Sequence, residues 1–305
     1  MPDDRGTLYV VATPIGNLGD VTLRALETLR SVPVIAAEDT RVTRRLLARH
    51  EIKTRVVSYH AQSGKARLDS LLAHLRGGAD LALVTDAGTP AVSDPGEEIV
   101  AAWAVEGGRI VPIPGPSSVL AAVSATALAG PRWSFEGFLP RSGRERRDRL
   151  ARIASDDRGT VLFEAPTRLM ATLGDLEATC GGDRLAAVCR ELTKLHEQVV
   201  RAPLAELADA VRSGAIPARG EIVIVIGPAT AGALSTAERR EALEDGRAQV
   251  EALVAGGLSR SEAARRVAAA TGLPRRTLYG AGDAARPAGQ TRSARPETTD
   301  SGPTR

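Results

Sequence analysis

The chain has 305 residues, with 40 Lys and Arg against 37 Asp and Glu and only 3% aromatic side chains. That length suits two domains and a small third, a formal charge of +3 leaves any anionic partner to local clusters, and the core must be built from Val, Leu, Ile and Ala. Cys180 and Cys189 form no CxxC or metal spacing, no apolar run reaches the roughly 18 residues of a membrane span, and the polar N-terminus is unlike a secretion signal, so a reduced, cytoplasmic, metal-free protein is expected.

Apolar runs predict strands at 8–12, 34–37, 56–59, 81–85 and 110–112. Between them, helical spacing predicts helices at 23–29, 43–49, 68–75, 99–105 and 119–128. Strands that are continuously apolar and alternate with helices indicate a largely parallel sheet covered on both faces. Residues 1–130 therefore read as an α/β domain. Residues 131–230 read as a second, smaller α+β domain. It has a linking strand at 135–139, a basic helix at 141–152, strands at 160–163, 186–190, 197–201 and 221–226, and helices at 169–179 and 204–213. From 235 to 284 the pattern is helix–turn–helix. Ser235 caps a helix at 236–255, Gly256-Gly257 breaks it, and Ser259 with Glu262 three residues on forms a capping box. Thr271-Gly272-Leu273-Pro274 makes a turn before a last short helix from Arg275. The tail 285–305, rich in Pro, Gly, Ser, Thr and Arg, is expected to be disordered.

Four turns carry the chemistry. They are Thr13-Pro14-Ile15-Gly16-Asn17, Asp86-Ala87-Gly88-Thr89-Pro90, Ser93-Asp94-Pro95-Gly96 and Pro114-Gly115-Pro116-Ser117-Ser118. Glycine lets backbone approach a ligand, and proline holds one turn shape. Such turns at the ends of buried strands predict a pocket made largely of main-chain groups, where open α/β sheets bind ligands. Pro14, Gly16, Gly88, Thr89 and Asp94 are its candidates. Asp86 ends a buried strand, so its carboxylate must find a partner or face the cleft. Ser117 and Ser118 open a helix and offer free amide donors, or simply cap it. There is no GxGxxG and no GxxxxGK[ST], which argues against a conventional dinucleotide site or P-loop.

Two basic stretches could meet an anionic polymer. Arg41 and Arg44 follow Glu38-Asp39-Thr40 on a basic helix. Arg141, Arg144, Arg146, Arg147, Arg149 and Arg152 form the densest basic run, interrupted by Glu145 and Asp148. Both suit phosphate contact or a solvated face. His50, His60, His74 and His196 show no metal spacing, and no GxSxG or Ser/His/Asp order suggests a covalent nucleophile.

The turns, taken with Ala37-Glu38-Asp39-Thr40-Arg41, Glu136-Gly137-Phe138-Leu139-Pro140-Arg141 and Gly220-Glu221-Ile222, resemble the tetrapyrrole methylase superfamily of S-adenosylmethionine-dependent methyltransferases. The resemblance spans roughly residues 7 to 227 and more loosely reaches 284. The Glu-Asp-Thr-Arg and Gly-Phe-Leu-Pro-Arg elements resemble the branch that methylates a cytidine 2′-hydroxyl in the decoding centre of 16S rRNA. The resemblance implies two α/β domains with S-adenosylmethionine bent in a cleft between them. Asp86, Gly88, Thr89, Ser117 and Ser118 match positions expected near it. It also implies a homodimer acting on the small ribosomal subunit. The segment Phe163-Glu164-Ala165-Pro166-Thr167-Arg168 matches a second-domain motif in which histidine usually follows the proline; Thr167 stands there in this chain.

A sulfonium methyl is already activated, so the protein must chiefly position a ribose hydroxyl and exclude water. Glu38, Asp39 and His60 are the candidate bases. Arg41, Arg44, Arg141, Arg144 and Arg147 are the candidate phosphate contacts. Two other readings stay open at this point: a methyltransferase acting on a tetrapyrrole or a protein, and a non-catalytic nucleic-acid-binding protein built around the helix–turn–helix segment.

Overall fold

The computed structural model describes residues 4–229, 236–271 and 278. The expected strand–helix alternation is present. In chain order the first part runs β1 (Thr7–Val11), α1 (Leu23–Ser31), β2 (Val34–Ala37), α2 (Thr40–Arg49), β3 (Arg55–Ser58), α3 (Lys65–Arg76), β4 (Leu81–Val84), α4 (Glu97–Val105), β5 (Arg109–Ile113) and α5 (Ser118–Thr126). The five strands pair in the order β3-β2-β4-β1-β5, every pair parallel. All their carboxyl ends, and the loops that follow them, therefore lie along one edge of the sheet. Strands β2 and β4 are buried at every position. Apolar clusters cover both faces, one around Leu29, Ile35 and Leu47, the other around Leu71, Leu83 and Trp103.

The second part runs β6 (Trp133–Phe138), α6 (Gly143–Ser155), β7 (Gly159–Glu164), α7 (Leu169–Cys180), β8 (Leu185–Arg190), β9 (Gln198–Pro203), α8 (Leu204–Arg212) and β10 (Ile222–Ile226). Its sheet order is β6-β7-β10-β8-β9. Only β6 and β7 are parallel; β10 pairs antiparallel with β7 and β8, and β8 with β9. Helices α6, α7 and α8 pack one face around Leu162, Leu173 and Ile224. The segment at 135–139, expected as a linking strand, is the edge strand of this sheet.

The described residues fall into two compact units, one up to residue 229 and the other from residue 236 on. In the second unit, α9 (Thr236–Ala255) and α10 (Arg260–Thr271) pack through Val250, Ala263, Ala264 and Val267. Helix α9 stops as the glycine pair predicts. Gly257 is left-handed at φ +95°, its amide donates to Val254 O, and the Leu258 amide donates to Leu253 O, which is a Schellman cap. Ser259 Oγ accepts from the Glu262 amide at 3.3 Å, one half of the expected capping box. The cap at Ser235, the turn at 272–274, the helix from Arg275 and the tail at 285–305 lie outside the described residues.

Two local expectations are corrected. Helix α2 starts at Thr40, three residues early, because Asp39 caps it by accepting from the Arg41 amide at 2.8 Å. The basic run on α6 is not one solvated or phosphate-lined face. Arg146 is only 7% exposed and packs on the same helix face as Leu150 and Ile153. Its guanidinium donates to Asp175 (2.8 Å), Thr172 Oγ1 (3.0 Å) and the Pro140 carbonyl (2.9 Å). Arg149 pairs with Glu145 at 2.8 Å. Arg141, Arg144 and Arg147 remain exposed.

Truncating Arg146 removes a charged donor from three acceptors, all at least partly buried. Arg146→Ala is expected to cost about 2–3 kcal/mol in urea unfolding, the scale for breaking a buried charged hydrogen-bond set. Arg144→Ala, on the open face of the same helix, should stay within about 0.5 kcal/mol of the parent. Equal losses in the two variants would contradict the distinction.

Candidate active site between the two sheets

The turns that follow β1 and β4 are joined. Thr13 and Gly88 exchange amide–carbonyl hydrogen bonds at 2.8 and 3.1 Å, and Thr13 Oγ1 donates to the Thr85 carbonyl at 3.1 Å. The turns that follow β2 and β4 are joined by side chains instead. The Asp39 amide donates to Asp86 Oδ1 at 2.9 Å, and the Asp86 amide donates to Glu38 Oε2 at 3.3 Å. The strand-end carboxylate thus finds its partner in the neighbouring strand's loop. Three strand ends become one braced rim.

The loop from Asp86 to Gly96 is under backbone strain. Gly88 and Gly96 take φ +82° and +136°, and so, without being glycine, do Ala91 (+67°) and Ser93 (+65°) take positive values. Left-handed non-glycine residues persist only where surrounding contacts fix them, and they concentrate at functional sites. A Cβ on Gly96 would sit 2.9 Å from Leu83 Cδ2, so the loop lies tight on its own strand.

Against this rim lies the second sheet. A cavity of about 400 Å³ opens between them. The first sheet's loops contribute Ile15, Glu38, Asp86, Thr89, Asp94, Ser117 and Ser118; the second sheet contributes Phe138, Phe163, Glu164, Leu192, Ile222 and their neighbours. The floor is an apolar cluster shared by both parts, in which Ile15, Val119 and Ala122 meet Val161, Ala187, Cys189 and Val223. Nearby, the turn at Gly16 abuts the loop at 192–194: a Cβ on Gly16 would stand 2.4 Å from Lys194 Cγ. Lys194 in turn bridges Glu191 (2.8 Å) and Glu221 (3.1 Å), pinning that loop to the start of β10.

One end of the cavity is acidic. Burial, then the charges of Glu38 and Asp86, pushes Asp94 up to about 6. Burial also raises Glu38, against the pull of the Asp86 amide. Such carboxylates are held close together at a cost that a cationic ligand group would relieve. Asp39 differs. Its carboxyl turns to Arg41 at 2.6 Å, and that hydrogen bond holds it at about 2. His60 lies in an adjoining cavity with Tyr59 and Glu98, and Asp94 lines both cavities. Its Nδ1 accepts from the Gln62 amide at 3.2 Å.

The structure therefore brings together Glu38, Asp86, Thr89, Asp94, Ser117 and Ser118, with Gly88 directly behind them. Asp39, His60, Pro14 and Gly16 do not line this cavity. Ser117 lines the cavity, and its Oγ accepts from the Leu120 amide as N-cap of α5. Sequence reasoning missed Phe138, Phe163 and Ile222 as cavity walls, because only the tertiary fold brings β6, β7 and β10 to this edge. Cys189 reaches the floor as a buried thiol pushed up to about 12 by that burial, an inert wall rather than a nucleophile.

Fold and cleft together define a two-lobed α/β methylase. The family model described as Tetrapyrrole (Corrin/Porphyrin) Methylases matches residues 7–208. A ribosomal RNA small subunit methyltransferase I from Synechocystis sp. is 47% identical over 90% of this chain and 96% of its own. Its counterpart from Xylella fastidiosa is 43% identical over 90% and 98%. The solved uroporphyrin-III C-methyl transferase of Thermus thermophilus, complexed with S-adenyl homocysteine, covers 73% of this chain and 97% of its own at a TM-score of 0.54 and 21% identity, a likeness of fold. The chain belongs to the tetrapyrrole methylases and, within them, to the ribosomal RNA small subunit methyltransferase I family.

The raised carboxyl gives a signed prediction. An acid whose folded pKa is raised costs stability when it ionises, so the cost is full above about pH 6 and vanishes as pH falls below the ordinary value. Asp94→Asn should therefore melt higher than the parent near pH 8 and converge with it toward pH 4. A gain independent of pH would mean that the ionisation of Asp94 is not its cause.

Proposed function

We propose that the protein transfers the methyl group of S-adenosylmethionine to the 2′-hydroxyl of a cytidine ribose in the 16S rRNA of the small ribosomal subunit. The observation that carries this reading is the match over nearly the whole length of proteins named ribosomal RNA small subunit methyltransferase I. The cleft fits the methyl donor on its own chemistry. It offers a braced main-chain rim, an apolar floor and a crowded carboxylate end for a ligand that carries positive charge.

S-adenosylmethionine supplies an activated methyl on a sulfonium, so no covalent intermediate on the protein is needed. The turns at 86–90 and 117–118 position the donor through amides and small side chains. Glu38, Asp86 and Asp94 hold negative charge beside it. The floor of Ile15, Val119 and Val223 excludes water. Alignment of this kind supplies up to about 7–11 kcal/mol of barrier lowering in favourable systems. Of the three candidate bases, Glu38 is the one with both access and a raised pKa, so it is assigned to receive the ribose proton. Asp39 is held too acidic by Arg41 for that task, and His60 is assigned to the approach of the RNA through the adjoining cavity.

Arg41 and Arg44 on α2, Arg144 and Arg147 on α6, and Arg141 in the loop before α6 are exposed cations, and they are assigned to backbone phosphates. A homodimer working in the cytoplasm is part of the same proposal. Among the described residues no helix is long and apolar enough to cross a membrane.

Incubation with methyl-tritiated S-adenosylmethionine and small ribosomal subunits tests the reaction. Label is expected in the RNA, in a nucleotide whose 3′ linkage resists alkali because its 2′-oxygen is methylated. Label in protein, or on an alkali-labile nucleotide, would overturn the assignment. For the phosphate contacts, Arg144→Gln and Arg147→Gln should each flatten the log–log salt dependence of RNA binding by somewhat less than one unit. An unchanged slope would return α6 to a solvated helix.

A further inference from the structure

The chain contains three phenylalanines, and the fold gathers all of them at the cleft. Phe135 and Phe163 meet edge to face with centroids 4.9 Å apart, and Phe138 leans on Phe163 at 5.5 Å. Phe135 and Phe163 pack against the shared apolar floor. Phe138 lines the cavity too, yet remains 50% exposed.

The backbone fixes that exposure. The register of β6 against β7 shifts between Phe135 and Gly137, and Gly137 is left-handed at φ +60°. A bulge of this kind re-aims the next side chain. A Cβ on Gly137 would stand 3.0 Å from Ser93 Oγ, on the strained loop of the opposite wall. Immediately after Phe138, the Leu139 and Pro140 carbonyls accept from Arg168 at 2.8 and 3.3 Å, and Pro140 accepts again from Arg146 at 2.9 Å. Both arginines are themselves anchored, Arg168 to the buried Glu164 at 3.3 Å and Arg146 to Asp175 at 2.7 Å. The ring is thus presented rigidly to solvent beside the cavity, with one aromatic neighbour behind it and Arg141, exposed, three residues on.

We propose that Phe138 is a positioning residue: a stacking platform for the base of the nucleotide whose ribose is methylated. The proposal rests on the function assigned above. Single-stranded RNA is commonly gripped by bases stacked on aromatic rings, with phosphates held by nearby arginines. A pre-ordered ring loses little freedom on binding, and stacking against it orients the attached ribose toward the donor end of the cleft.

Three variants test this: Phe138→Ala, Phe138→Leu and Phe138→Trp. Each is assayed for S-adenosylmethionine affinity by calorimetry and for kcat/KM on small subunits. The account predicts donor affinity within about twofold of the parent in all three. It predicts a loss of roughly 10- to 100-fold in kcat/KM for Ala, the range that stacking supports, a similar loss for Leu, and near-parental activity for Trp. Full activity in the Leu variant would make the ring a mere apolar filler and overturn the proposal. Donor affinity falling in step with activity would place the ring on the cofactor instead, and overturn it equally. A parent protein that methylates no subunit RNA would overturn the proposed function itself, an outcome visible before any variant is compared.

Discussion

Val119 and Ala122 on α5, with Ile15 from the turn after β1, are pressed into Val161, Ala187, Val223 and Val225 of the second sheet. Everything at the site depends on that apolar contact. Without it, two sheets with their own cores would carry unrelated loops. With it, the carboxyl edge of a parallel sheet faces strands β6, β7 and β10 at a fixed spacing. Small residues set how close the two approach. Gly159 lies against the backbone of Ala129, where a Cβ would be 2.4 Å from Cα, and Gly16 lies against Lys194 and Thr193. The same contact dries the floor, and desolvation from such burial is the first cause of the raised pKa values of Glu38 and Asp94.

A second layer of constraint holds the rim. The Thr13–Gly88 bridge and the reciprocal Asp86–Asp39 and Asp86–Glu38 hydrogen bonds convert three separate loops into a single piece. On the opposite wall, Arg146 and Arg168 do the equivalent for the loop at 138–141. Polar groups that would be costly if left unsatisfied instead lock backbone in place. Stability and function therefore share residues: Arg146 belongs to the same basic run as the exposed Arg144 and Arg147, but serves the fold.

Much of this was legible in the sequence. Parallel strands buried on both faces are continuous apolar runs, so β1, β2 and β4 could be placed with their terminal turns. The turns themselves named most of the first lobe's contribution to the cleft. Other features had a signal that was outweighed. Asp39 is an ordinary N-cap type, yet the polar run Glu38 to Arg41 read as a strand end, which delayed α2 by three residues. Arg146, Leu150 and Ile153 fall on one helical face, but six neighbouring arginines masked the phase. Some features left no local trace. The left-handed conformations of Ala91 and Ser93 are imposed by surrounding contacts, and the walls from Phe138, Phe163 and Ile222 exist only once the second sheet is docked.

The central claim is that one ligand is held by both lobes at once. Amide hydrogen exchange with and without S-adenosylhomocysteine measures this directly. The account predicts simultaneous protection of the turns at 86–90 and 117–118 in the first lobe and of 220–223 at the start of β10 in the second. Protection confined to the first lobe, with 220–223 unchanged at saturating ligand, would contradict a cleft shared by the two sheets.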